Sequence, residues 1–153
     1  MIKVFGTTSD KDKKFTLEKT EFFANLIFGK NKDTLNIHVS WRDDLPFSVD
    51  GVALQRAPNS KSHFEVLIRS TLKDTSENNF VYSLCHEMCH LKQFYTGILN
   101  DAQQKGGVYF MDRFYPVDRL NDVDWAIRPW EVQAEGLAQD IITKFTKYKI
   151  EWR

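Results

Sequence analysis

Leu84-Cys85-His86-Glu87-Met88-Cys89-His90 sits in the middle of a run that opens at Thr75-Ser76-Glu77 and stops at Gly97. Thr75 or Ser76 suits a helix cap, the residues from Phe80 to about Tyr95 are apolar at helical spacing, and Gly97 suits the C-terminal stop. Val81, Leu84, Met88, Leu91 and Tyr95 fall about 140–220° around that helix from His86, whereas His90 is only about 40° away. The apolar side of the helix is therefore taken by other residues. The two imidazoles share the remaining side and look out into a cleft.

His86-Glu87-Met88-Cys89-His90 is an H-E-x-x-H pattern. Residues four apart lie on one helical face, so both rings can reach one metal ion, and zinc accepts neutral imidazole nitrogen readily. Glu87 lies about 100° around from His86, where its carboxylate reaches a water on the metal rather than the metal itself. That is the position of a general base. At this content of His and Glu, chance produces the pattern in about one such chain in two hundred, so composition alone does not account for it.

Outward toward the N-terminus, residues 1–5 read as a short strand and residues 6–14 as a polar turn. A helix is expected from Thr16, acting as its cap, to Gly29, with Leu17, Phe22, Phe23, Leu26 and Ile27 as its apolar residues. Leu35 to Trp41 alternates, which puts Leu35, Ile37, Val39 and Trp41 on one buried face and His38 on the exposed one. Asp50-Gly51 is a hairpin signal within Phe47 to Leu54. His63 to Arg69 alternates again, with Phe64, Val66 and Ile68 pointing one way and His63 an ordinary exposed residue.

Outward toward the C-terminus, residues 98–128 show no helical pattern. They read as a long irregular segment with a small hairpin around Gly106-Gly107 and Val108-Tyr109-Phe110. Asp112, Asp118, Asp122 and Asp124 in it read as solvated surface residues. Tyr109, Tyr115, Arg113, Arg119 and Arg128 are available there as donors, and nothing selects among them; packing the segment onto the body is the simpler role for the tyrosines. Pro129 occupies a first-turn position, and a final helix is expected from Trp130 to about Tyr148.

A catalytic zinc site takes three protein ligands. Ala134, Leu137, Ala138, Ile141 and Phe145 form the apolar face of the final helix, with Glu131 and Glu135 on its border. Carboxylates at a core edge cost free energy unless paired or bound to metal. The small residues Ala134, Gly136 and Ala138 permit close approach of another helix. Either glutamate fits the third position, and Glu131 is preferred. Cys85 and Cys89 are also four apart, but lie about 100° and 60° off the His86 direction. They read as buried, unpaired thiols.

An H-E-x-x-H helix followed by a helix bearing E-x-x-x-E resembles the glutamate-ligand zincins, the gluzincin type of zinc metallopeptidase. Glu131 to Ala138 is similar to the third-ligand segment of ImmA/IrrE-type peptidases, and Leu84 to His90 to the corresponding helix of SprT-like proteins. The resemblance implies a zincin-like α+β fold: a small mixed or antiparallel sheet of three to four strands packed on an N-terminal helix, the H-E-x-x-H helix and a C-terminal ligand-bearing helix. It implies Zn2+ held by His86, His90 and Glu131, Glu87 as catalytic base, and Glu135 orienting a ligand histidine. The implied activity is peptide-bond hydrolysis. Residues 63–69 would offer an edge strand to an extended substrate. The chain departs from the SprT-like pattern, lacking its third histidine after an H-G pair and the cysteines for its zinc ribbon.

The whole chain, 1–153, reads as one domain. Lys+Arg and Asp+Glu are both 21, which argues against a nucleic-acid partner, and hydrophobic residues make up 42%, enough for a core. Two cysteines do not make a secreted disulfide scaffold. Met1 to Thr7 has no apolar signal core, and the longest apolar run is too short to span a bilayer. The expectation is a cytoplasmic monomer acting on a peptide or protein substrate, with no membrane partner. The alternatives are a zincin-fold binding or regulatory module that keeps its zinc without proteolysis, and a SprT-like nucleic-acid-associated protease.

Overall fold

The computed structural model describes residues 1–7, 9–46, 49–57, 59–116 and 128–151. Asp118, Arg119, Asp122 and Asp124, singled out above, lie outside the described residues. The fold is mixed α+β, with two small sheets.

Strand β1 (Ile2–Phe5) leads into helix α1 (Asp10–Phe28), a 3-10 turn (Gly29–Thr34) and strand β2 (Asn36–Arg42). Strands β3 (Gly51–Gln55) and β4 (His63–Arg69) follow, then the short helix α2 (Leu72–Thr75) and the long helix α3 (Glu77–Thr96). Strands β5 (Leu99–Ala102), β6 (Gly107–Phe110) and β7 (Arg113–Pro116) precede the last helix, α4 (Pro129–Glu151).

The first sheet has the order β1-β2-β4-β3. β1, β2 and β4 are parallel, and β3 runs antiparallel to β4 at the edge. The alternation in β2 and β4 holds: Leu35, Ile37, Val39, Trp41, Phe64, Val66 and Ile68 are all buried. They meet α1 and α3, where the Trp41 ring sits 4.9 Å from that of Phe80 and Phe64 stacks on Phe94. Because one register face is apolar and the other half-exposed, this sheet is covered on one side only.

Several expectations need correction. Helix α1 begins at Asp10, because Ser9 is its cap and accepts the Asp12 N–H at 3.1 Å. Thr16 is a fully buried residue whose Oγ1 accepts the Trp41 indole N–H at 3.0 Å. The charged run Asp10 to Lys14 is thus the solvent side of a helix rather than a turn, and Leu26 is exposed. Asp50-Gly51 is no hairpin turn: Gly51 starts β3, whose return to β4 runs through residues 56–62. β4 is an interior strand, so the edge belongs to β3 and not to residues 63–69. His38 is half-buried, edge-on to Phe5 and bonded to Arg56.

The hairpin expected around Gly106-Gly107 is present as β5 and β6, and β7 extends it to a three-stranded antiparallel sheet, β5-β6-β7, in a segment otherwise expected to be irregular. Met111 and Asp112 link β6 to β7 with φ of 50° and 65°. Two left-handed residues are what a two-residue hairpin loop demands, and Asn-Gly is the usual signal for it. Met-Asp hides that turn. Tyr115 and Phe110 pack this sheet against Trp130 at the start of α4.

α3 and α4 pack through small side chains, with Cys85, Cys89, Ala134 and Ala138 all buried. Both cysteines are free thiols. Gly136 takes no part: a Cβ there would meet nothing within 4 Å. Among the described residues, no helix is long and apolar enough to cross a membrane.

Candidate metal centre

Ser76 caps α3 through its Oγ, which accepts from Asn78 and Asn79, and Gly97 closes the helix in the left-handed conformation (φ 79°). Between those ends, His86 and His90 stand one turn apart and turn toward α4. Glu131 comes to them from the first turn of α4. The His86 Nε2 and Glu131 Oε2 atoms are 2.9 Å apart, His90 Nε2 and Glu131 Oε2 3.2 Å, and the two Nε2 atoms 3.2 Å. A tetrahedral ion with ligands at 2.0–2.1 Å holds their donor atoms about 3.3 Å from one another. The spacing and the donor set therefore fit a metal ion, and among the described residues no other group of three His, Cys, Asp or Glu side chains converges in this way.

Each ligand-competent ring is held from behind. Gln93 is buried, and its amide Nε2 donates to Trp130 O at 2.8 Å and to Gln133 Oε1 at 3.0 Å. Both amide hydrogens are then used, so Gln93 Oε1, 2.7 Å from His90 Nδ1, accepts a hydrogen from it. A neutral His90 must then carry its lone pair on Nε2, the atom facing Glu131. His86 has the same arrangement with a different partner: Glu135 Oε2 lies 3.2 Å from its Nδ1. Glu135 is fixed in turn by Tyr82, whose hydroxyl donates to Oε1, and by the Gln139 amide at 3.1 Å.

The electrostatics follow from this closeness. Burial alone would push His90 down, but its hydrogen bond to Glu131 and the fields of Glu87 and Glu131 outweigh it and raise it to about 9. His86 is raised too, against burial, by the Glu131 bond and the Glu87 field. Glu131 would be raised by burial, yet its bonds to both histidines bring it down to about 2.

Glu87 lies on the adjoining part of α3, beside strand β3. A Cβ on Gly51 would sit 2.8 Å from Glu87 Cγ, so only glycine lets the strand pass this close. Burial raises the Glu87 carboxyl, opposed by His90, by His86 and by the Ala53 backbone N–H that it accepts. The bonds Arg56 N–H to His63 O (3.1 Å) and Arg69 N–H to Asp50 O (2.8 Å) set the alternation of the β3–β4 ladder. By that two-residue repeat, Gly51, Ala53 and Gln55 turn their N–H and C=O groups to the side of β3 that pairs with no strand among the described residues. That edge, α3, α4 and β5 enclose a cleft of about 690 Å³ with His86, Glu87, His90 and Glu131 in its wall.

The structure thus brings His86, His90 and Glu131 together, sets Glu87 beside them and Glu135 behind His86. It does not bring Cys85 or Cys89 in; Cys85 Sγ faces Ala138 O at 4.0 Å on the α4 side. Asp112 is exposed. Tyr115 packs on Trp130, and Tyr109 lies beside Phe114. Sequence reading missed Gln93, Tyr82 and the β3 edge. Gln93 follows His90 by three residues and Tyr82 precedes His86 by four, so helical spacing offered a signal for both. Nothing local marks the edge.

These features define an α+β protein whose His86, His90 and Glu131 form a group able to hold a metal ion. No protein-family model matches the sequence, and neither a curated protein nor a solved structure matches the chain.

Proposed function

We propose that this protein is a zincin-like, zinc-dependent peptide-bond hydrolase. The observation that carries the reading is the convergence of two imidazoles and a carboxylate beside a buried glutamate, in a cleft bordered by a free strand edge. His86, His90 and Glu131 would hold the zinc, which when bound lowers the pKa of a water and polarises a carbonyl. Glu87 takes the proton of the attacking water and returns it to the leaving nitrogen. Burial strengthens that carboxylate as a base. Gln93 and Glu135 fix the tautomers of His90 and His86, leaving each Nε2 free to bind. An extended peptide would add to the edge of β3 through the N–H and C=O groups that Gly51 and Gln55 turn outward and through the Ala53 C=O. A reducing, cytoplasmic setting would keep Cys85 and Cys89 as thiols.

The test is metal analysis together with Glu87→Gln. The purified protein should carry close to one zinc per chain. The variant should keep that zinc and lose hydrolysis of a diverse peptide library by about 10²–10⁴-fold. A chain without zinc, or a variant of full activity, defeats the reading. A zinc-loaded chain that captures a stable partner but cleaves nothing is a binding module instead.

A further inference from the structure

Among the described residues, Gln55 links the second sheet to the first. Met111 N–H donates to Ile98 O at 2.8 Å, which fixes the β5–β6 alternation and turns the N–H and C=O groups of Leu99 and Asp101 to the free edge of β5. That edge and the edge of β3 both border the cleft. Gln55 spans the space between them: its Oε1 accepts the Asp101 N–H at 3.0 Å, and its Nε2 donates to Ser60 O at 2.9 Å. A glutamine side chain reaches about 4–5 Å, so the β5 backbone stands within about 8 Å of β3 there. The amide itself also fills the gap. The groove along β3 is therefore open beside Gly51 and Ala53 and shut at Gln55.

The shut end has a chemical polarity. A peptide pairing antiparallel with β3, the more stable mode, points its amino terminus toward the C-terminal end of β3. From Ala53, whose N–H meets the Glu87 carboxylate, to Gln55 is about 6.6 Å, room for about two residues.

We infer that Gln55 is the stop of the substrate groove, and that the cleft takes peptides by their free amino-terminal end and removes a short stretch from it. The inference rests on the hydrolase reading above. In the reaction, water adds to the carbonyl carbon, the C–N bond breaks and the nitrogen leaves with the proton. The experiment uses the zinc-loaded full chain and two nested series of peptides around one cleaved bond, lengthened at the amino end in one and at the carboxyl end in the other, with products read by mass spectrometry. Amino-end lengthening beyond about two residues should slow cleavage roughly tenfold or more, as should acetylation of the amino terminus, while carboxyl-end lengthening should not. Gln55→Gly should raise the ratio of long to short amino-end substrates cleaved by about tenfold. Cleavage of interior bonds at equal rates in both series, or a block by carboxyl-end lengthening, overturns the inference and leaves the hydrolase reading standing. An unchanged ratio in a folded Gln55→Gly protein overturns the role of Gln55. A zinc-loaded chain that cleaves no member of either series overturns the hydrolase reading and the inference with it.

Discussion

The two flanks of the cleft are built differently. On one flank, α3 and α4 press together through Cys85, Cys89, Ala134 and Ala138, with Leu84 and Met88 at 0% exposure beneath. On the other, β5, β6 and β7 are four residues each and lean on the body through Phe110, Tyr115 and Trp130. All the ligand-competent side chains, and the groups that hold them, belong to the helical flank. The second sheet contributes Leu99, Asp101 and Val108 to the wall. The difference teaches where each task can be placed. Ligand atoms must be held to a fraction of an ångström, which needs locked rotamers on packed elements. A wall that only limits what enters can rest on a thin sheet with few buried contacts.

The sharpest way to break that comparison is through Gln93. If the helical flank holds the ligands through their buried partners, Gln93→Leu should lower zinc affinity about 10–100-fold, measured by competition with a chelator, while the circular dichroism of the fold persists. Unchanged affinity would mean that packing alone positions His90.

The next effect is the pH dependence of the zinc-free protein. Glu131 falls from an ordinary 4.5 to about 2 in the folded chain, so its contribution is present above pH 4.5 and is lost as pH falls toward 2. His90 rises from 6.5 to about 9, so its contribution is full below pH 6.5 and is lost as pH rises toward 9. Thermal melts in the presence of a chelator should therefore show the helical flank strongest between pH 4.5 and 6.5. With zinc present the basic limb should reverse, because the metal binds neutral imidazole. A melting temperature that climbs from pH 6.5 to 9 without zinc would contradict the bonded triad.

The smallest effect belongs to the rim. Met111→Asn with Asp112→Gly supplies the residues that the left-handed turn prefers, and should stabilise the protein by about 0.5–1 kcal/mol. Zinc affinity should not move. A change in zinc affinity would show that the two flanks are coupled more tightly than their contacts suggest.

Much of the site was legible because its signals are local. His86, Glu87 and His90 are within one turn and a half of helix, and the apolar residues of that helix fixed which side they face. Glu131 and Glu135 were legible as a pair, since carboxylates at the border of an apolar face need a partner. Their division of labour was not, because it depends on how α4 is set against α3. The start of α1 was misread since Ser9 precedes a run of charges with no apolar period, although that run is itself helical. The hairpin around Gly106-Gly107 was legible from its glycines, but its extension to β7 was not, because the Met111-Asp112 turn lacks glycine.

The sequence by itself determined the helix that carries both histidines, the alternating strands beneath it and the pair of glutamates that follow. Each is a matter of residue spacing along one element, where periodicity and capping act over a few residues. Only the tertiary structure decided that β3 is the edge, that Gly51 must be glycine for Glu87 to pass, that α4 takes both hydrogens of the Gln93 amide and that Gln55 joins two sheets. Those four facts bring together residues 36 to 46 positions apart or depend on strand order. No local spacing encodes such neighbours; the burial of a shared core sets them.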